Sequence, residues 1–105
     1  MSIASLADFK LYMREATTDL DLTFQQALDS ATAEANNFLG MDAETDFGSA
    51  GIPPDVTMAC MVLAQVHADM GDPESNDHRR VAAQRLLTPY RLNTGFGAGA
   101  VEVAA

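Results

Sequence analysis

The sequence predicts an all-α fold, a small bundle of about four helices with a long acidic loop and a flexible C-terminal tail. Apolar residues recur at helical spacing in four stretches, prolines and glycines separate these stretches, and strand-like alternation is absent outside residues 41–52. A chain of 105 residues has room for one folded domain, assigned to residues 1–91, followed by the tail, residues 92–105. A domain this small leaves little volume for a deep cavity, so any pocket is expected between subunits.

The first two helices are predicted from about Leu6 to Glu15 and from about Leu20 to Leu39. Ser5 is a typical N-cap for the first helix, and Asp8 places an acid in its first turn. Gly40 offers a C-terminal stop for the second helix. The apolar faces consist of Leu6, Phe9 and Met13 in the first helix and of Phe24, Leu28, Ala31, Ala35 and Phe38 in the second.

The stretch from Met41 to Ile52 lacks a sustained period and is rich in acids, glycine and serine, so a surface loop that joins two helices is expected. Its length makes it a plausible contact element. Three alternating acids resemble the start of a calcium loop: Asp42, Glu44 and Asp46. A calcium loop would then need glycine where this chain has Phe47 and an acid where it has Pro53, so a solvated acidic loop is favoured over a calcium site.

The third helix is expected to begin at the pair Pro53 and Pro54, because the first turn of a helix tolerates residues without an N–H group. From Val56 to Met70 its residues are apolar nearly all round. Such a helix is typical of the centre of a fold, covered on several sides, and a neighbouring subunit is a candidate for part of that cover. Cys60 lies in the middle of it, where a thiol is usually inert.

The fourth helix is expected to follow the break at Gly71-Asp72-Pro73, with cap candidates at residues 75–77, and to run to about Thr88, before Pro89. Its predicted apolar stripe is Ala82, Ala83, Leu86 and Leu87. The tail that follows holds three alternating glycines but no preceding strand, following helix or Lys-Ser/Thr pair, so it does not predict a phosphate loop. Its sizeable apolar side chains beyond Leu92 are Phe96, Val101 and Val103.

Composition excludes several function classes. Fifteen acids against six bases give a net charge of −9, which argues against a basic surface that wraps nucleic-acid phosphates. A single cysteine allows no internal disulfide, and neither a signal peptide nor a membrane segment is predicted, so intracellular assembly without membrane contact is expected. The two histidines, His67 and His78, lack a zinc-ligand spacing. We therefore nominate no catalytic, cofactor-binding or metal-binding residue.

The bases are segregated along the chain. Residues 79–91 contain four of the six basic residues and no acid, while the rest of the chain has two bases and fifteen acids, a net charge of −13. Arg80 and Gln84 share one helix face with Arg85 adjacent, which predicts guanidinium groups opposite the apolar stripe. This face is either simply solvated or meets the acidic surface of the next copy in a head-to-tail contact, an arrangement that forms rings. Composition alone does not choose between the two.

Four short motifs occur in a familiar order: Asp-Phe-Lys-x-Tyr-Met-Arg at residues 8–14, Phe-Leu-Gly at 38–40, Ile-Pro at 52–53, and Leu-Leu-x-Pro-Tyr-Arg at 86–91. With these motifs, residues 6–91 resemble the head-tail connector proteins of tailed bacteriophages, also called head-completion or adaptor proteins. The chain departs from the family at residues 69–72, Asp-Met-Gly-Asp, where the family often has an aromatic and basic turn.

The resemblance implies a structural protein without catalysis or cofactor, assembled in the host bacterial cytoplasm and located in the virion at the head-tail interface. It implies a dodecameric ring under the portal protein that extends the DNA channel and docks the tail-side stopper, or head-closure protein. DNA would pass without specific binding, helped by an acidic inner wall that repels phosphates. The expected contacts with other subunits or with the portal involve Arg79, Arg80, Arg85, Arg91 and, in the tail, Phe96.

Two other interpretations of the sequence, each with a different function, stay open. A small helical DNA-binding regulator would use the arginine face of residues 79–91 to contact phosphates, although the net charge of −13 elsewhere argues against it. A small enzyme, or an accessory subunit of one, would need titratable groups that converge in a pocket, and no spacing in the sequence nominates them.

Overall fold

The computed structural model describes residues 3–47, 51–68 and 72–91 and places them in five α-helices. These are α1 (Leu6–Met13), α2 (Asp21–Leu39), α3 (Ala43–Asp46), α4 (Pro54–His67) and α5 (Pro73–Leu87), and a 3₁₀ turn, Thr88–Tyr90, follows α5. The described residues contain no strand, so the all-α prediction is confirmed. The tail, residues 92–105, lies outside them.

The caps explain where the helices begin and end. The Ser5 hydroxyl accepts a hydrogen bond from the Asp8 N–H at 3.1 Å, as predicted for the start of α1. α2 ends at Gly40, which has a φ of 77° and is in the left-handed region that glycine adopts without strain. The cap predicted for the fourth helix was wrong: the Asp72 carboxylate accepts from the Ser75 N–H at 2.8 Å, so α5 begins at Pro73. A proline in the first position needs no hydrogen-bond acceptor.

The acidic stretch after Gly40 is not entirely a loop, which corrects the sequence prediction. Its acids cap a short helix, α3: the Asp42 side chain accepts from the Glu44 N–H at 3.1 Å, and the Asp46 carboxylate accepts from the Asp42 N–H at 2.8 Å. The Asn36 side chain of α2 accepts from the Ala43 N–H at 2.9 Å, and Ala43 itself is buried. Local capping therefore holds this segment against the end of α2.

The core lies where α4 packs between α2 and α5. This confirms the central position predicted for the third helix, although α4 ends at His67 and Met58 remains 41% exposed. The buried residues of α4 are Val56, Ala59, Cys60, Leu63 and Ala64, those of α2 are Phe24, Ala27, Leu28, Ala31, Thr32, Ala35 and Leu39, and those of α5 are Ala83 and Leu87. In the stripe predicted for α5, Leu86 is half-buried and Ala82 is exposed, so Ala82 was wrongly included.

α1 is joined to this body by few contacts. Phe9, its one buried residue, packs edge-on against Phe24 of α2 with ring centroids 5.0 Å apart and stacks on Tyr12 at 6.0 Å. The Tyr12 hydroxyl donates to the Gln65 side chain of α4 at 2.9 Å. Before the helix, the Ile3 N–H donates to the buried Thr32 hydroxyl at 2.9 Å. α1 therefore lies across α2 and α4 with only one side covered.

Candidate functional site

The polar cluster with the most contacts joins three helices around one carboxylate. Glu34 of α2 accepts two hydrogen bonds from Arg80 of α5, at 2.8 Å from Nε and 3.2 Å from Nη2. Nε2 of His67, at the end of α4, lies 2.8 Å from Glu34 Oε1, the oxygen that also accepts from Arg80 Nη2. The Arg80 hydrogen bonds lower the pKa of Glu34, burial opposes this, and the hydrogen bond with His67 lowers it further. The same hydrogen bonds raise the pKa of Arg80.

This cluster corrects the expected orientation of Arg80. Its guanidinium does not stand opposite the apolar stripe but faces α2, where it holds α5 against the rest of the body through Glu34. A carboxylate that accepts two hydrogen bonds from one guanidinium is held in a fixed position with its charge compensated. The charge of Arg80 is therefore already engaged within its own chain.

Two of the other predicted interface arginines also contact their own chain. Arg79 donates to the Asn76 side chain at 2.9 Å, one turn earlier in α5. The Arg91 guanidinium lies over the Phe38 ring at 4.7 Å from its centroid, a cation–π contact. Arg85 is exposed and has no partner within residues 3–47, 51–68 and 72–91, whereas Phe96 lies outside the described part of the chain. The interface role of these residues stays a prediction, with Arg85 the arginine best placed for an external contact.

Arg85 belongs to an outward surface that we call the α5 face: His78, Val81, Ala82 and Arg85. These residues follow one another at steps of three, one and three positions along α5, and all are exposed. Val81 is 46% exposed, a branched apolar side chain beside a guanidinium without a described partner. A surface that combines apolar and cationic groups in this way is suited to a protein contact with an acidic partner surface.

A second outward surface, which we call the α1 patch, is a shallow groove of about 460 Å³ lined by Leu6, Ala7, Lys10, Leu11 and Glu15. Leu11 is 78% exposed. Lys10 forms an ion pair with Asp21 of α2 at 2.8 Å, and the residue after Asp21 is Leu22, 73% exposed. The two strongly exposed leucines therefore lie at the same end of the α1–α2 pair.

The groups that could support chemistry are dispersed. Cys60 is buried, its thiol lies 3.7 Å from the Thr32 hydroxyl, and burial raises its pKa, as expected for a structural cysteine. His67 contacts Glu34, but no nucleophile accompanies them in the described residues. The described ranges also contain no group of three His, Cys, Asp or Glu side chains arranged to hold a metal ion.

Sequence reasoning missed Glu34 and both exposed leucines. Nothing in the sequence links Glu34 to Arg80, because 46 positions separate them and only the packing of α2 with α5 brings them together. The leucines did carry a signal: Leu11 does not belong to the stripe of Leu6, Phe9 and Met13, and Leu22 precedes the stripe of α2. An apolar side chain out of register with its helix face is a candidate for exposure.

Comparison with known proteins identifies no family. No family model matches the chain, no curated protein matches it, and no solved structure matches it. Among the described residues, no helix is both long and apolar enough to cross a membrane. The function must therefore be argued from the residues and their geometry.

Proposed function

We propose that this chain is a structural subunit that self-associates into a ring and acts as a head-tail connector of a tailed phage or prophage. In this role it binds under the portal protein, extends the DNA channel and offers a platform to the tail-side stopper. It is not an enzyme, and DNA passes through the ring without specific binding. The proposal places the protein in the virion.

The observation that carries self-association is the presence of two outward surfaces of different chemistry on one small domain. The α1 patch exposes leucine side chains, and the α5 face exposes Val81 beside Arg85. Two leucines more than 70% exposed at one end of a helix pair support a contact surface at that end. Two non-identical surfaces favour a heterologous contact, which closes into a ring when the rotation between copies allows it.

Charge supports the same arrangement. Arg85 has no described partner, while exposed carboxylates on and between α1 and α2 are available to a neighbour: Asp8, Asp19 and Asp29. Opposite charges across an interface fix its register and speed association more than they add affinity. The motifs that resemble the connector family, from residue 8 to residue 91, supply the phage assignment itself.

The DNA-binding alternative loses support from the arginines. Three of the four basic side chains that would contact phosphates, Arg79, Arg80 and Arg91, already contact their own chain. If the protein shows no measurable binding to duplex DNA at about 50 mM salt, this alternative is wrong, because phosphate contacts are strongest at low salt.

The proposal is tested by the mass of the protein in solution. Native mass spectrometry and negative-stain images at high protein concentration should show a closed ring, and Arg85→Glu should weaken association at low salt while the helical circular dichroism stays unchanged. Arg85→Lys is the matched control, because it keeps the charge and should assemble. A protein that stays monomeric at every concentration, both alone and with portal protein, would overturn the proposal.

A further inference from the structure

We propose that the α1 patch binds the C-terminal segment, residues 92–105, of a second copy of this chain, with Phe96 seated in the groove beside Leu11. The inference deepens the proposed function and rests on it in one respect, namely that the copies associate. It specifies which part of one copy contacts which part of the next.

The groove has the properties of a binding site for an apolar side chain. Three of its lining residues are apolar, Leu6, Ala7 and Leu11, and the other two are Lys10 and Glu15. Lys10 is paired with Asp21, so its charge is already compensated and an apolar group can approach it. Filling the groove would remove Leu11, the most exposed large apolar side chain of the described residues, from water.

The C-terminal segment has the composition of an occupant. Its 14 residues contain one charged side chain, Glu102, and glycines and alanines that allow close approach to a helix. Phe96 is its largest apolar side chain. The other exposed large apolar residues outside the α1–α2 pair, Met58 and Val81, are fixed on helices and cannot extend into a groove.

The point where the chain leaves the described structure indicates that the occupant comes from another copy. Arg91 lies over Phe38, and the Tyr90 ring lies 6.0 Å from that of Phe47, so the chain departs at the C-terminal end of α2. The Lys10–Asp21 pair marks the other end of α2, 17 positions or about 25 Å before Phe38. Five extended residues from Arg91 to Phe96 span at most about 18 Å. The backbone from Arg91 to Phe96 is therefore shorter than the stretch of α2 between these two contacts, which favours a groove on another copy over the groove of the same chain.

A contact of this kind is heterologous. Each copy offers a segment at one end of α2 and a groove at the other, so every copy can both give and receive. Repetition of this contact produces a ring if the rotation closes.

Cysteine cross-linking tests the pairing directly. In a Cys60→Ala background, the double variant Leu11→Cys, Phe96→Cys is oxidised with diamide and separated without reductant. The expected result is a ladder of covalent dimers and larger species. Met58→Cys, Phe96→Cys is the matched control, because Met58 is also an exposed apolar residue but lies on neither the α1 patch nor the α5 face, and it should give no ladder. A mixture of the two single variants Leu11→Cys and Phe96→Cys should stop at covalent dimers.

The mass of the protein without oxidant separates the possible failures. A ring without any Leu11–Phe96 cross-link would overturn this inference and leave the proposed function standing. A monomer that cross-links only within itself would overturn both. Removal of residues 93–105 should raise the apparent dissociation constant of self-association at least tenfold with little change in the thermal melt. A truncated chain that assembles fully but no longer binds portal protein would assign the segment to the portal and overturn the inference.

Discussion

A leucine side chain is buried in α4, whereas one is exposed in α1. α4 places Leu63, which is 1% exposed, between α2 and α5, whereas α1 leaves Leu11 78% exposed and buries only Phe9. The apolar burial that stabilises the domain is therefore concentrated in α2, α4 and α5. The three helices α2, α4 and α5 form a body that needs no further partner on its inner faces, while α1 is an attached element whose outer side is available for a contact.

The polar contacts of the two regions differ in the same way. In the body, Glu34 links all three helices through Arg80 and His67. At α1, the Lys10–Asp21 ion pair and the Tyr12–Gln65 hydrogen bond each join α1 to one neighbour. Because α1 has fewer contacts than the three-helix body, it is expected to open locally at a lower free energy than that body.

Leu63→Asp should have the largest effect, because it places a charge without a partner between α2 and α5. A buried unpaired charge costs about 3–5 kcal/mol, against a total stability of about 5–15 kcal/mol for a domain. We expect the cooperative thermal melt, monitored by circular dichroism, to be lost. Met58→Asp, on the exposed side of the same helix, is the control and should melt close to the parent. Equal melts for both variants would show that α4 is peripheral.

Phe9→Ala should detach α1 from the body. Truncation of a buried phenylalanine typically costs about 3–5 kcal/mol. Here the lower end is expected, because α1 can separate while α2, α4 and α5 remain packed. Amide hydrogen exchange should rise through α1 and stay low in α4. The control is Leu11→Ala, which should change the free energy of unfolding by less than about 0.5 kcal/mol. Loss of protection throughout the chain in Phe9→Ala would make α1 part of the core body.

Glu34→Gln should have the smallest effect and the clearest pH dependence. The folded protein holds the pKa of Glu34 below its ordinary value through Arg80 and then His67. The carboxylate therefore contributes stability above the unfolded-state pKa of about 4.3 and loses it as the pH falls through the lower folded-state value. For a partly exposed cluster the contribution is about 1 kcal/mol or less.

Urea unfolding of the parent and of Glu34→Gln at pH 7 and at pH 3 measures this contribution. The variant should be less stable at pH 7, and the difference should shrink at pH 3, where Glu34 is protonated in the unfolded parent. Acid effects of the other carboxylates act on both proteins and cancel in the comparison. A difference that stays constant between the two pH values would mean that Glu34 contributes by packing and not by charge.

Local patterns were sufficient for most of the secondary structure. The helix-period stripe of α2 and the stop at Gly40 agree with the structure, because spacing and a glycine cap act within a few residues. The predictions for the start of α5 and for α3 were wrong because in both places the sequence allows two local structures of similar free energy. Residues 75–77 looked as suitable a cap as Asp72, and the acids of α3 looked like a solvated loop before their capping hydrogen bonds were known.

The sequence by itself determined that the chain is all-α, that α4 is central and that Cys60 is structural, because composition and helical period decide these properties locally. Only the tertiary structure decided that Arg80 faces Glu34 and that Leu11 and Leu22 stay in water. Both outcomes depend on how helices distant in sequence pack together. A helical stripe specifies which face of a helix turns inward, but not which neighbour covers it or which side chains at its edge are left without cover.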